Sequence, residues 1–195
     1  FVDQSDPDLH QSQIYHCLQT AEALREKYSR PEEEWLVVTG FIHDLGKVLS
    51  IYGEPQWNVV GDTFPVGCAF SDRCVYSQFF ESNPDSQNAL YSTKYGIYEP
   101  NCGFDRVQMS WGHDEYLYLV LSKSPNLLPP EALYIVRYHS FYPWHTEAAY
   151  DHLASEKDWL NLAWLKKFQP FDLYSKDDDL SPSDLKEKLP FYEKL

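Results

Sequence analysis

The sequence predicts a mostly α-helical fold, a single domain over residues 1–195 with one long irregular insert. Three observations carry this. Apolar residues recur every three to four positions in several separate runs. Proline and glycine punctuate the ends of those runs. Between residues 53 and 109 the helical period disappears, and Pro55, Pro65, Pro84 and Pro100 interrupt the chain.

The elements follow in order. Ile14, Leu18, Ala21 and Leu24 predict a first helix over Gln11 to Tyr28. Pro31 and the glutamates at 32–34 suit a helix start, because proline tolerates the first turn and acids favour the positive end of the dipole. A second helix is expected from Glu32 to Tyr52, stopped by Gly53. It is apolar around much of its circumference from Trp35 through Val48, so it should be central, with Phe41, Ile42 and Leu45 as anchors.

The insert reads as turns with short strands, for example around Trp57-Asn58-Val59-Val60, and as a candidate lid or binding loop. A third helix is expected over Trp111 to Ser122, with Ser110 as its N-cap and Pro125 as its stop. A fourth begins after Pro129-Pro130 and runs to about Phe141, ended by Pro143. A fifth and sixth occupy Glu147 to Phe168, until Pro170-Phe171-Asp172 breaks the pattern before a short helix or turn at Leu173. There is no internal repeat.

The formal net charge of −14 disfavours a general nucleic-acid binder, which needs a basic patch to neutralise phosphates. The runs at 32–34 and 177–179 read as solvated faces. Cys17, Cys68, Cys74 and Cys102 form no C-x-x-C pair, and no long apolar span is visible. The expectation is a cytoplasmic, monomeric protein with free thiols and no membrane association.

Seven histidines are present, and His16, His43, His113 and His139 fall in or at the ends of four different predicted helices. Helical bundles build metal sites from side chains on facing helices. In "FIHDLGK", residues 41–47, a carboxylate follows the histidine directly. Asp44 has two oxygens and could bridge two ions while His43 binds one. The plainer reading is a surface Asp44–Lys47 pair beside a core histidine. Gly40, one turn earlier, permits close backbone approach. Asp114 and Glu115 match the positive end of their helix, and that structural reading is favoured for both. His139 should point inward with Ile135 and Val136. Asp172, among aromatics, either meets a cation or caps the following turn.

The order His16, His43-Asp44, later histidines and Asp172 matches the H…HD…D pattern of the HD-domain superfamily. Longer words are more specific: "QTAEALR" at 19–25, "HDLGK" at 43–47, "GEPQWNVVGDTFPVGC" at 53–68, "MSWGHDEYLY" at 109–118, "RYHSFYPWH" at 137–145 and "FDLYSK" at 171–176. Together with "SDPD" at 5–8 they resemble the inositol oxygenase family over nearly the whole chain. The resemblance implies an HD-fold oxygenase that uses dioxygen and two iron ions, a mixed-valent Fe(II)/Fe(III) pair, to convert myo-inositol to D-glucuronate. It implies that His16, His43, Asp44 and Asp172 hold one iron, and that Asp44 bridges to a second held by His113 and His139. Four imidazoles and two carboxylates suit iron at a borderline-soft site.

The resemblance also implies a catalytic Lys47 and substrate contacts from Asp3, Gln4, Ser5, Lys47, Gly61, Asp62, His139, Ser140 and Lys176. It leads to the expectation that the family's pocket-closing upstream segment and its C-terminal tail lie outside this chain. The competing enzyme is an HD-type two-metal phosphohydrolase, whose pocket needs several cations. Lys47 and Lys176, with Arg137 behind them, are thin provision for that. A non-catalytic scaffold is the other alternative, and the six filled ligand positions argue against it.

Overall fold

The computed structural model describes residues 1–3, 12–174 and 181–194. Eight α-helices occur among them: α1 (Gln13–Lys27), α2 (Glu34–Ile42), α3 (Gln56–Val59), α4 (His113–Lys123), α5 (Pro130–Tyr138), α6 (Tyr142–His145), α7 (Glu156–Tyr174) and α8 (Pro182–Tyr192). Strand pairing among the described residues is limited to one antiparallel bridge between Pro65 and Met109. The mostly α class therefore holds. No helix among them is long and apolar enough to cross a membrane. All four cysteines are free thiols.

Helix α1 packs on α2, α4 on α5, and α7 on both α5 and α1. Gly40 explains the first contact, because a Cβ there would lie 2.5 Å from Leu24 Cδ1 and 3.3 Å from Ala21 Cα. The centre is filled by Phe104, Tyr138, Phe141, Trp144 and Phe168, all fully buried.

The predicted second helix is not continuous. It opens with a 3₁₀ turn over Pro31–Glu33, α2 ends at Ile42, His43 and Asp44 form a turn, and a 3₁₀ helix spans Leu45–Ser50. Asp44 takes φ −95° and ψ 1°, outside the helical basin. The tertiary reason lies at Gly46, whose Cβ, if present, would sit 2.0 Å from the His113 carbonyl oxygen. This close approach of chain to α4 fixes the bend. The 3₁₀ geometry eclipses side chains three apart, which brings Lys47 over Asp44. Leu45 is 43% exposed and anchors nothing, whereas Phe41 stacks on Tyr192 of α8 with ring centroids 4.6 Å apart.

Other boundaries also differ from expectation. Residues 56–59 are helical (α3), not extended. Gly112, not Ser110, occupies the N-cap of α4. The Ser110 hydroxyl accepts from the Phe64 N–H at 3.1 Å and so fastens the insert to the start of α4. Pro143 lies in the first turn of α6 instead of ending α5, where its missing N–H costs no hydrogen bond. The region of the predicted fifth and sixth helices holds a 3₁₀ turn at Asp151–Leu153 and a single helix, α7, which runs through Pro170. A mid-helix proline loses one backbone bond, but burial of Phe168 and Asp172 on either side holds the helix together. Asp172 therefore lies in the last turns of α7 and caps nothing. Helix α8 was not expected at all; its Ser181/Asp184 capping box and Pro182 are its sequence signature.

Candidate metal centre

Five elements deliver six side chains to one place. His16 comes from α1, His43 and Asp44 from the bend after α2, His113 from the first residue of α4, His139 from the end of α5 and Asp172 from α7. All six are buried. His16 Nε2 lies 2.9 Å and His43 Nε2 3.3 Å from Asp172 Oδ1. The two oxygens of Asp44 face opposite ways. Oδ2 lies 3.6 Å from His16 Nε2 and 3.7 Å from His43 Nε2, while Oδ1 lies 3.3 Å from His113 Nε2 and 3.5 Å from His139 Nε2. Two groups thus have donor atoms within 4.8 Å of one another and could hold metal: His16, His43 and Asp44, and Asp44, His113 and His139.

The backbone orients three of the imidazoles. A carbonyl oxygen can only accept, so the Nδ1–H groups of His43, His113 and His139 donate to Gly40 (2.8 Å), Val59 (2.9 Å) and Val136 (3.1 Å). Each Nε2 is thereby turned to the centre, the arrangement typical of metal-binding histidines. His43 Nε2 is fully buried with no hydrogen-bond partner. An orphaned buried nitrogen is costly, and a bound cation removes that cost. The donor set therefore fits a metal.

The electrostatics show the same demand for positive charge. Burial would raise Asp44 and Asp172, yet both carboxyls are held well below the ordinary range, Asp44 chiefly by Lys47 and His43, Asp172 chiefly by His16 and His43. Burial would lower His113, but Asp114 and Asp44 outweigh it and lift the imidazole to about 10 in the metal-free chain. Lys47 Nζ lies 2.8 Å from Asp44 Oδ2 and 2.9 Å from Asp3 Oδ2, and these carboxylates overcome burial to raise its pKa.

A cavity of about 540 Å³ opens beside the cluster. Asp3, Lys47, Gly61, Asp62, His139 and Ser140 are among the residues that line it. Gln4, Ser5 and Lys176 lie outside the described residues. Asp62 presents Oδ2, buried without a partner, and burial together with Asp114 pushes its carboxyl up to about 6. Arg137 is elsewhere: it pairs with Glu115 (2.7 Å) and stacks over Tyr118.

Three site residues escaped the sequence reading. Gln13 accepts from Lys47 at 3.3 Å. The Tyr142 hydroxyl donates to Asp172 Oδ2 at 3.4 Å. Asp114 is buried, 2.9 Å from His113 Nε2, and accepts from the Ser140 hydroxyl, so its role is not that of an exposed acid at a helix end. A repeated His-Asp doublet, at 43–44 and 113–114, was the available signal. Glu115 likewise serves the pair with Arg137.

A helical frame in which one buried carboxylate is shared between two histidine pairs defines a class of metal-binding helical proteins. The myo-inositol oxygenase family model matches residues 1–195. Inositol oxygenase 1 of Arabidopsis thaliana is 57% identical over 179 residues, covering 90% of this chain and 57% of the relative. Inositol oxygenases of Danio rerio and Homo sapiens are 49% and 50% identical over 195 residues, the whole of this chain and 69% and 67% of theirs. The chain belongs to the myo-inositol oxygenase family. It spans a little over half the length of the Arabidopsis relative and about two thirds of the other two.

Proposed function

We propose that this chain carries the catalytic centre of an oxygenase that cleaves the ring of myo-inositol with dioxygen to give D-glucuronate. Two irons, working as an Fe(II)/Fe(III) pair, are the cofactor. His16, His43, Asp44 and Asp172 would hold one, and Asp44, His113 and His139 the other. The observation that carries this reading is the division of Asp44, one oxygen toward each histidine pair. When bound, the iron pair supplies the one-electron activation of dioxygen that organic side chains lack.

The chain's own residues do the rest. Lys47 is pinned between Asp44 and Asp3, so its charge is fixed at the edge of the cluster, where it orients substrate oxygen and favours loss of a hydroxyl proton. Asp3, Asp62 and Ser140 offer acceptor oxygens to a ligand covered in hydroxyl groups. These acceptors suit an uncharged polyol. Burial of the six residues excludes water around the cluster and protects reactive species.

The phosphohydrolase reading fares worse on charge. Among the described residues Lys47 is the only lysine or arginine lining the cavity, and it is already paired twice. Asp3, Asp44, Asp62 and Asp172 would repel a phosphate ester.

The test combines iron analysis, electron paramagnetic resonance and aerobic turnover of myo-inositol. The expected result is two irons per chain, a coupled mixed-valent signal and glucuronate formation. Asp44→Ala should leave no coupled pair. A pair that survives in that variant defeats the bridging role, and ester hydrolysis independent of inositol overturns the oxygenase reading.

A further inference from the structure

Asp114 is a buried acid beside His113 and His139 that has no place in the ligand set. Its Oδ2 accepts a hydrogen bond from the Ser140 hydroxyl. Its Oδ1 is buried, has no aligned hydrogen-bond partner, and lies 2.9 Å from His113 Nε2 and 3.2 Å from His139 Nδ1. A buried carboxylate oxygen without a donor is expensive unless positive charge is close by. Its near neighbours are the imidazoles of His113 and His139, the pair that Asp44 Oδ1 also faces.

We propose that Asp114 is the carboxylate that belongs to the His113/His139 half of the centre, as Asp172 belongs to the His16/His43 half, and that it acts as a positioning residue. This rests on the two-metal reading above. The two acids are placed differently. Asp172 Oδ1 faces Nε2 of both its histidines. Asp114 Oδ1 faces Nε2 of His113 but the back nitrogen, Nδ1, of His139. It therefore stands on the flank of its pair. From there it adds negative charge to both imidazoles and limits their rotation, and leaves the cavity side of that half open for substrate oxygens.

The Ser140 contact links this acid to substrate recognition. Ser140 has one hydroxyl proton, and it is donated in the hydrogen bond to Asp114. The Thr63 N–H donates to the same oxygen at 3.1 Å. The remaining lone pair of Ser140 can only accept, so a substrate hydroxyl reaching it must be the donor. A polyol meets that condition, whereas an acceptor-only group does not.

The experiment is an anaerobic titration of chelator-stripped chain with ferrous iron, read as stepwise affinities, with electron paramagnetic resonance after partial oxidation. Asp114→Asn keeps the shape and can still accept from Ser140, but removes the charge. The expected result is a loss of about 10–100-fold in affinity for the second ion only, with a matching loss of the coupled signal and an unchanged first affinity. Ser140→Ala provides an independent arm. It removes the hydroxyl that fixes Asp114, so the second affinity should fall by up to about 10-fold, the low end of such losses, again with the first unchanged. If Asp114→Asn does not fold, this arm decides. Wild-type affinities at both steps in either folded variant overturn the inference and leave the two-metal reading standing. A wild-type chain that takes up fewer than two ions overturns both.

Discussion

Replacing Asp62 by Asn should stabilise the metal-free chain at neutral pH while weakening its binding of substrate. Asp62 Oδ2 is buried with no partner, and burial together with Asp114 lifts the carboxyl from 3.8 to about 6. A raised carboxyl binds its proton more tightly in the folded than in the unfolded chain. Folding stability then falls as pH rises through the interval between the two values, and the loss is complete above the folded one. The gap corresponds to about 3 kcal/mol, an upper figure for a half-buried side chain. Asn carries no charge and escapes this loss. The difference between Asp62→Asn and wild type should be near zero at pH 4, grow between about pH 4 and 6, and level off above that. For a chain of this size about 3 kcal/mol is roughly 6–12 °C in melting temperature. The assay is urea unfolding of chelator-stripped protein, followed by tryptophan fluorescence at intervals from pH 4 to 8. Parallel stability curves for the two proteins would refute the claim that burial raises the Asp62 carboxyl. On the function proposed above, the same substitution should raise the KM for myo-inositol, since a stabilising change at a substrate contact commonly costs function.

Two further outcomes follow from the packing around Asp44. Lys47→Met removes the cation shared by Asp44 and Asp3 and leaves both acids buried without it. Breaking a buried pair in this way costs about 3–5 kcal/mol, which equilibrium unfolding of the metal-free protein should register; a change below about 1 kcal/mol would mean that the two acids relax into solvent. Gly46→Ala puts a methyl 2.0 Å from the His113 carbonyl, a backbone atom that has no room to yield. It should destabilise by about 3 kcal/mol, the upper part of the overpacking range, and, on the two-metal reading proposed above, halve metal stoichiometry through displacement of His113. Full stoichiometry with wild-type stability would show that the bend and α4 are not rigidly apposed.

The histidines, the His43-Asp44 doublet and Asp172 could be picked out because chemistry-bearing residues in apolar helical runs are conspicuous. Long motif words then supplied the family and the ligand assignments. Asp114 was missed for a physical reason: an acid in the first turn of a helix has a sufficient local explanation, and nothing in a linear sequence reveals that Ser140 and His139 surround it. Tyr142 and Gln13 were missed likewise, since tyrosine and glutamine acquire significance only through the partners they meet.

The sequence alone determined the helical class, the extent of the irregular insert and the presence of His43-Asp44 within an apolar run, because these depend on periodicity and on local residue chemistry. Only the tertiary structure decided where helices stop. The α2 pattern breaks at His43-Asp44 because α4 presses its backbone against Gly46, and α7 continues through Pro170 because burial on both sides outweighs one lost bond. The division of the two Asp44 oxygens between two histidine pairs is likewise tertiary. A carboxylate's composition permits bridging, but the bend after α2 and the approach of α1, α4, α5 and α7 determine what each oxygen faces.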